Sequence, residues 1–98
     1  MSGVKRSGIV IYVAGDTADR NLHSQQNHIE TVLRAAHVQY EMIDIASDPA
    51  YKDEMRQRCG NETAVAPQVF NGDYYCGDYV SFQQAVEEER IREYLRVS

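Results

Sequence analysis

The stretch that most narrows what this chain can fold into is Val65 to Phe82, VAPQVFNGDYYCGDYVSF. Pro67 opens a short β-prone run, Gln68 to Phe70, and Asn71-Gly72 is the dipeptide that most readily supplies the two positive-φ positions of a tight hairpin turn. A returning antiparallel strand is therefore expected over Asp73 to Cys76. Gly77-Asp78 should end it, with Asp78 accepting the unpaired amide hydrogens of a helix that begins at Tyr79. The stretch demands strand, reversal, strand and helix start in immediate succession.

The rest of the chain must supply what such a hairpin packs against. Ile9 to Val13 is an unbroken run of β-branched and aromatic residues, the pattern of a strand buried on both faces and therefore central. After the loop Gly15 to Asp19, the apolar residues Leu22, Ile29, Val32, Leu33 and Ala36 recur at helical spacing, with a stop expected near His37. Val38 to Ile45 alternates apolar and polar residues as a strand with one more exposed face should. These elements make a βαβ unit, which is right-handed with parallel strands in nearly all folds. Asp48-Pro49 suits the cap and first position of a second helix, and Gly60 its end. Past Tyr79 the apolar positions Phe82 and Val86 continue, after a break near Glu88, into Ile91, Tyr94 and Leu95. With 98 residues, one domain spanning 1–98 is expected.

Charge and cysteine usage narrow the functional classes. A net charge of -5 gives no electrostatic footprint for nucleic acid or an anionic membrane, so neither is expected as a partner. The apolar run near the N-terminus is too short and too interrupted for a signal or a span. Cys59 and Cys76 match neither a redox pair nor a zinc knuckle, and reduced thiols are expected. The expected compartment is the cytoplasm, with the nucleus as an additional one. His23 and His28 share one helix but lie about 140° apart around its axis, so no metal is expected, and His23, His28 and His37 are expected in solvent. Glu87-Glu88-Glu89 with Arg90 and Arg92 reads as a solvated helix face with ion pairs.

The element order β-α-β-α-β-β-α, with a loop reaching a proline before the third strand, resembles the thioredoxin fold and its glutaredoxin-like branch, an α/β fold on a four-stranded mixed sheet. Ser24-Gln25-Gln26, Asp53-Glu54-Met55-Arg56, Pro67-Gln68 and the string Asn71 to Tyr79, NGDYYCGDY, resemble the SH3-domain-binding glutamic-acid-rich-like proteins over nearly the whole chain. The resemblance is to the short members, which consist of the fold alone. It implies a cis peptide bond before Pro67, where the residues by themselves support only a turn or strand-entry proline. SH3 binding of the kind the family's name promises needs PxxP in a polyproline II conformation. This sequence has no PxxP, and such binding is not expected of it.

The resemblance also says where chemistry should sit. Thiol oxidoreductases of this fold carry the nucleophilic cysteine at the start of the first helix, where free amide hydrogens stabilise the thiolate. Here Gly15 to Asn21 reads GDTADRN, with no cysteine, and Thr17 has no evident base to activate it. No catalytic residue is assigned and glutaredoxin-type turnover is not expected. A vestigial glutathione or ligand groove would be made by Ala66, Pro67, Gly77 and Asp78, on the logic of anion capture at a helix N-terminus. Asp78 as the cap would occupy and repel that anion, so glutathione binding is expected to be weak or absent, and no cofactor is assigned. Cys76 is the candidate reactive thiol, against the reading of a small buried hydrophobe with a pKa raised by Asp78. Tyr74, Tyr75 and Tyr79 offer a partner surface, or else ordinary strand aromatics, one of the first two pointing inward and the other out. The expected function is that of a non-catalytic adaptor or modulator with a protein partner. The alternative is a weak glutathione-linked thiol protein acting through Cys76.

Overall fold

A computed structural model of the chain describes residues 6–97. Strand β1 (Ile9–Val13) is followed by helix α1 (Arg20–Ala35), β2 (Tyr40–Asp44), α2 (Pro49–Cys59), β3 (Gln68–Asn71), β4 (Tyr74–Asp78), α3 (Tyr79–Glu87) and α4 (Ile91–Leu95). The strands form one mixed sheet in the order β2-β1-β3-β4. β1 runs parallel to β2 and antiparallel to β3, and β4 returns antiparallel beside β3. This is the glutaredoxin-like thioredoxin architecture.

β1 is central because every one of its five residues is buried, and its alternation divides the interior in two. Ile9, Ile11 and Val13 point to a core completed by Ile29 and Leu33 of α1, Phe82 of α3 and Leu95 of α4. Val10 and Tyr12 point to the other face, where Met55 of α2, Ile43, Ala64, Ala66 and Phe70 close over them. Each fully buried large apolar side chain contributes about 1.5–3 kcal/mol.

Aspartates start the long helices. Asp19 accepts from the amides of Asn21 and Leu22, Asp48 from Ala50 with Pro49 in the first turn, and Asp78 from Ser81. α1 therefore begins before Leu22, since Asp19 already satisfies its first orphan donors. Gly60, in the left-handed conformation at φ 69°, ends α2 as expected.

The hairpin corrects the expected register. Asn71 belongs to β3 and pairs with Tyr74, so the two turn residues are Gly72 and Asp73. Gly72 takes the single positive φ, 57°, at the first central position, and Asn71 is freed to donate from Nδ2 to the Leu95 carbonyl at 2.7 Å. β4 does not stop at Cys76 but runs on to Asp78, because Cys76 is the extra residue of a bulge between the Phe70–Tyr75 and Val69–Gly77 pairs. Bulging bends the strand toward the helix that follows. β2 is also shorter than Val38 to Ile45, starting only where it pairs with Ile9.

At the C-terminal end the acidic run is a helix terminus rather than a continuous helix face. α3 stops at Glu87 and Glu89 turns left-handed at φ 57°. Arg90 then pairs with Glu88 at 3.3 Å and, more loosely, with Glu93 at 3.9 Å. His28 is the other departure. It sits half-buried with its ring centroid 6.3 Å from that of Tyr79, and its Nε2 is buried without a partner among the described residues. The neighbouring Ile29 faces the core, which draws the His28 position partly under α3. His23 and His37 are exposed.

Candidate functional site

Three of the four residues read as a groove, Ala66, Pro67 and Asp78, come together where the loop before β3 meets the start of α3. The Ala66–Pro67 peptide is cis. Ala66 and Pro67 are buried and, with Asp78 and Tyr79, line an open groove of about 180 Å³. Gly77 is not part of the lining. Its φ of 143° and tight surroundings serve the strand-to-helix corner instead: a Cβ there would collide with Ser81 Oγ and come within 2.8 Å of Tyr94 Oη.

Three lining residues escaped the sequence reading of the site. Val65 and Val80 stand 67% and 72% exposed, and Gln25 contributes from α1. Val80 sits at the second helical position after the cap, and Val65 just before the buried Ala66. Exposed valine in such places carries no sequence signal, since helix and strand periodicity mark only what is buried. Gln68, read only as a strand residue, holds the groove's shape. It is buried, donates from Nε2 to the Val65 carbonyl at 2.7 Å, and its Oε1 accepts from the Tyr75 hydroxyl at 2.5 Å. Gln26 of α1 plays a similar part beside the end of β1, its Oε1 accepting from the Ala14 amide at 2.8 Å.

Asp78 is bound into the fold. Its Oδ1 accepts from the Ser81 amide at 3.1 Å, while Ser81 Oγ donates to its carbonyl at 3.0 Å. The other carboxylate oxygen has no partner among the described residues. The Asp78 carboxylate offsets part of this N-terminus's attraction for a second anion, and its unpartnered oxygen can accept a hydrogen bond or pair with a cationic group.

The tyrosines are spread apart. Tyr74 lies under the Arg96 guanidinium, 4.0 Å from ring centroid to Cζ, whereas Tyr75 packs against Phe70 with centroids 5.0 Å apart. Neither points inward, for they are 40% and 38% exposed. β4 is an edge strand, and both of its faces remain open at the hairpin. Burial raises the Tyr75 hydroxyl to about 12, with Cys59 and Asp78 adding to the shift. Tyr79 packs partly into the first core and turns its edge to His28.

Cys76 packs against the first core, and burial pushes its thiol up to about 11, with Arg96 pulling weakly the other way. Burial, rather than the Asp78 carboxylate, is the cause. At neutral pH it is a protonated thiol, a poor nucleophile. Burial likewise raises Cys59, opposed by Tyr75 and Arg58.

The family model described as SH3-binding, glutamic acid-rich protein matches residues 7–98. The chain belongs to that family. A curated relative, the SH3 domain-binding glutamic acid-rich protein homolog of Drosophila melanogaster, is 25% identical over 101 residues, covering 90% of this chain. The chain spans 63% of that relative's length. Among solved structures, C. albicans actin interacting protein Aip5 superposes with a TM-score of 0.72 at 24% identity, covering 90% of this chain and 87% of that one. A buckwheat glutaredoxin-glutathione complex gives 0.66 at 14% identity, covering 90% and 76%, and E. coli glutaredoxin 0.58 at 22%, covering 84% and 95%. These likenesses show the glutaredoxin-like fold. The string NGDYYCGDY, Asn71 to Tyr79, encodes the hairpin, the bulge and the cap of α3. Among the described residues, no group of three or more His, Cys, Asp or Glu side chains is placed to hold a metal, and no helix is long and apolar enough to cross a membrane.

Proposed function

We propose that this member of the SH3-binding, glutamic acid-rich family is a non-catalytic binding protein, a small adaptor or modulator that works in the cytoplasm or nucleus by docking a protein partner on the groove beside Pro67. The observation that carries this reading is the distribution of exposed apolar side chains. The large hydrophobic residues that the described part of the fold leaves exposed are Val65, Tyr74, Tyr75 and Val80. Val65 and Val80, the two most exposed, both line the groove, Tyr75 bonds to the Gln68 that shapes it, and Tyr74 stands at the other end of β4 under Arg96. Such clustering marks an interaction surface, whereas isolated exposed hydrophobics need no explanation.

The chemistry supports binding over turnover. The start of α1 offers Thr17 and Asp19 where this fold's oxidoreductases keep a thiolate, and their side chains are engaged with the Asp19, Asn21 and Leu22 amides. The relatives' names also speak of partners: SH3 domains for one, actin for another. With no PxxP in the sequence, an SH3 domain would have to be met through a surface other than a proline helix.

Two measurements on the full chain test the proposal. Immobilised wild-type protein is expected to retain a partner from cell extract that the Val65→Asp, Val80→Asp double variant loses. In a glutathione-coupled disulfide reductase assay, turnover that disappears in Cys76→Ser would overturn the reading in favour of a thiol enzyme.

A further inference from the structure

The groove's size, lining and charge restrict what can occupy it. Its volume of about 180 Å³ is below the roughly 300 Å³ at which small-molecule sites begin, so it cannot enclose a cofactor. It can take one or two side chains of a segment whose remainder lies outside. Val65, Pro67 and Val80 give it apolar contact surface. Asp78 is its charged lining residue, one oxygen spent on the cap and the other unpartnered among the described residues. Gln25, on the opposite element, has a side-chain amide with no partner among the described residues. Amides of this kind pair with main-chain N–H and C=O groups of an extended segment. Gln68 is not available for this, since both ends of its amide are engaged.

We propose, on the reading that this groove is the partner surface, that its occupant is an extended basic-apolar peptide segment of a partner protein. An aliphatic side chain seats against Val65, Pro67 and Val80, and an adjacent lysine or arginine pairs with Asp78. An acidic or phosphorylated segment is disfavoured by repulsion from the same carboxylate, which already caps the Ser81 amide. The chain's net charge of -5 favours the same choice at long range, speeding encounter with a cationic partner. The contact is shallow, and a weak, rapidly exchanging complex is expected.

The test is an amide-shift NMR titration of the full chain with three blocked pentapeptides: Arg-Ile-Val-Ile-Arg, Glu-Ile-Val-Ile-Glu and Arg-Ser-Gly-Ser-Arg. Saturable shifts at Val65, Gln68, Asp78 and Val80 are expected with the first peptide at the lowest concentration, weakening with added salt. Val80→Ser should weaken that binding about tenfold through lost apolar contact. Asp78→Asn keeps a competent cap and should cost about three- to fivefold for the arginine peptide alone, as an exposed ion pair does. Equal or tighter binding of the glutamate peptide, shifts confined to another surface, or no saturable shift with any peptide would overturn the inference. If capture of a partner still depends on Val65 and Val80 while the peptide order fails, only the basic-apolar assignment falls. If capture is indifferent to both valines, the groove itself is not the partner surface.

Discussion

The two faces of the sheet are held down by different physics. Under α1, α3 and α4 the contacts are apolar, with Ile29, Leu33, Phe82 and Leu95 meeting Ile9, Ile11 and Val13. Under α2 a charged network lies beside the apolar residues. Glu54, 6% exposed, accepts from Arg6 Nε at 2.6 Å and from the Tyr12 hydroxyl, and Arg58 donates to that hydroxyl at 2.8 Å and to the Gly72 carbonyl. Arg58 also stacks over Phe70, 4.2 Å from the ring centroid. One face is bound by area and shape, the other by a few directional bonds that fix how α2 sits. A buried carboxylate is tolerable only when fully paired, so the second face stakes more on each residue.

Removing one side chain from each face breaks the comparison most directly. Phe82→Ala should cost about 3–5 kcal/mol, read as a lower midpoint in urea, with a loss independent of pH between 4 and 8. Glu54→Gln should cost about 3 kcal/mol at neutral pH, because two arginines lose their counter-charge, and its cost should shrink in acid. Burial alone would raise the Glu54 carboxyl. Hydrogen bonds from Arg6 and Tyr12, with the charges of Arg6 and Arg58, outweigh burial and hold it below the usual carboxylate range. The stability that Glu54 contributes is thus complete above the ordinary carboxylate pKa and is lost as pH falls through its lowered value. Wild-type and variant curves should converge there; parallel curves would show that the network does not stabilise the face.

Smaller changes sharpen the picture at the corner between β4 and α3. Gly77→Ala should cost about 1–3 kcal/mol, the range for a strained backbone conformation forced on a residue with a Cβ, measured by thermal or urea unfolding. Cys76 tests the apolar face from the alkaline side. Its thiol rises to about 11 through burial, so its contribution is full below the ordinary thiol pKa and drains as pH climbs through that value. Cys76→Ala should flatten the stability profile between pH 9 and 11, monitored by circular dichroism. The smallest effect belongs to the cap: Asp78→Ala should cost about 1 kcal/mol and Asp78→Asn only a few tenths.

The same contrast explains what the sequence disclosed. β1 was legible as an unbroken apolar run buried on both faces, and α1 and α3 because their apolar residues recur at helical spacing. α2 was legible only at its ends, through Asp48, Pro49 and Gly60. Its interior, AYKDEMRQRC, buries Glu54 and Met55, and no periodicity foretells that a glutamate faces inward to meet Arg6 and Tyr12 from distant positions. The hairpin was found but placed one residue early, because Asn-Gly is the stronger turn dipeptide in isolation. Here the Asn71 amide is worth more bonded to the end of α4, which sequence proximity could not reveal. The groove was half legible: Ala66, Pro67, Asp78 and Tyr79 were named as site residues, while Val65, Val80 and Gln25 depend on how three separate elements converge.

The bulge at Cys76 has a consequence for colony-like growth of the protein on itself. β4 is an outer strand, and its tyrosines make the border both exposed and sticky, the combination from which chains add to one another without limit. The extra residue, followed by Gly77 at φ 143°, puts the strand's hydrogen-bonding groups out of step after Tyr75. A second copy laid alongside would find its ladder interrupted after two residues. The fold can therefore leave this edge uncovered while denying it to its own kind.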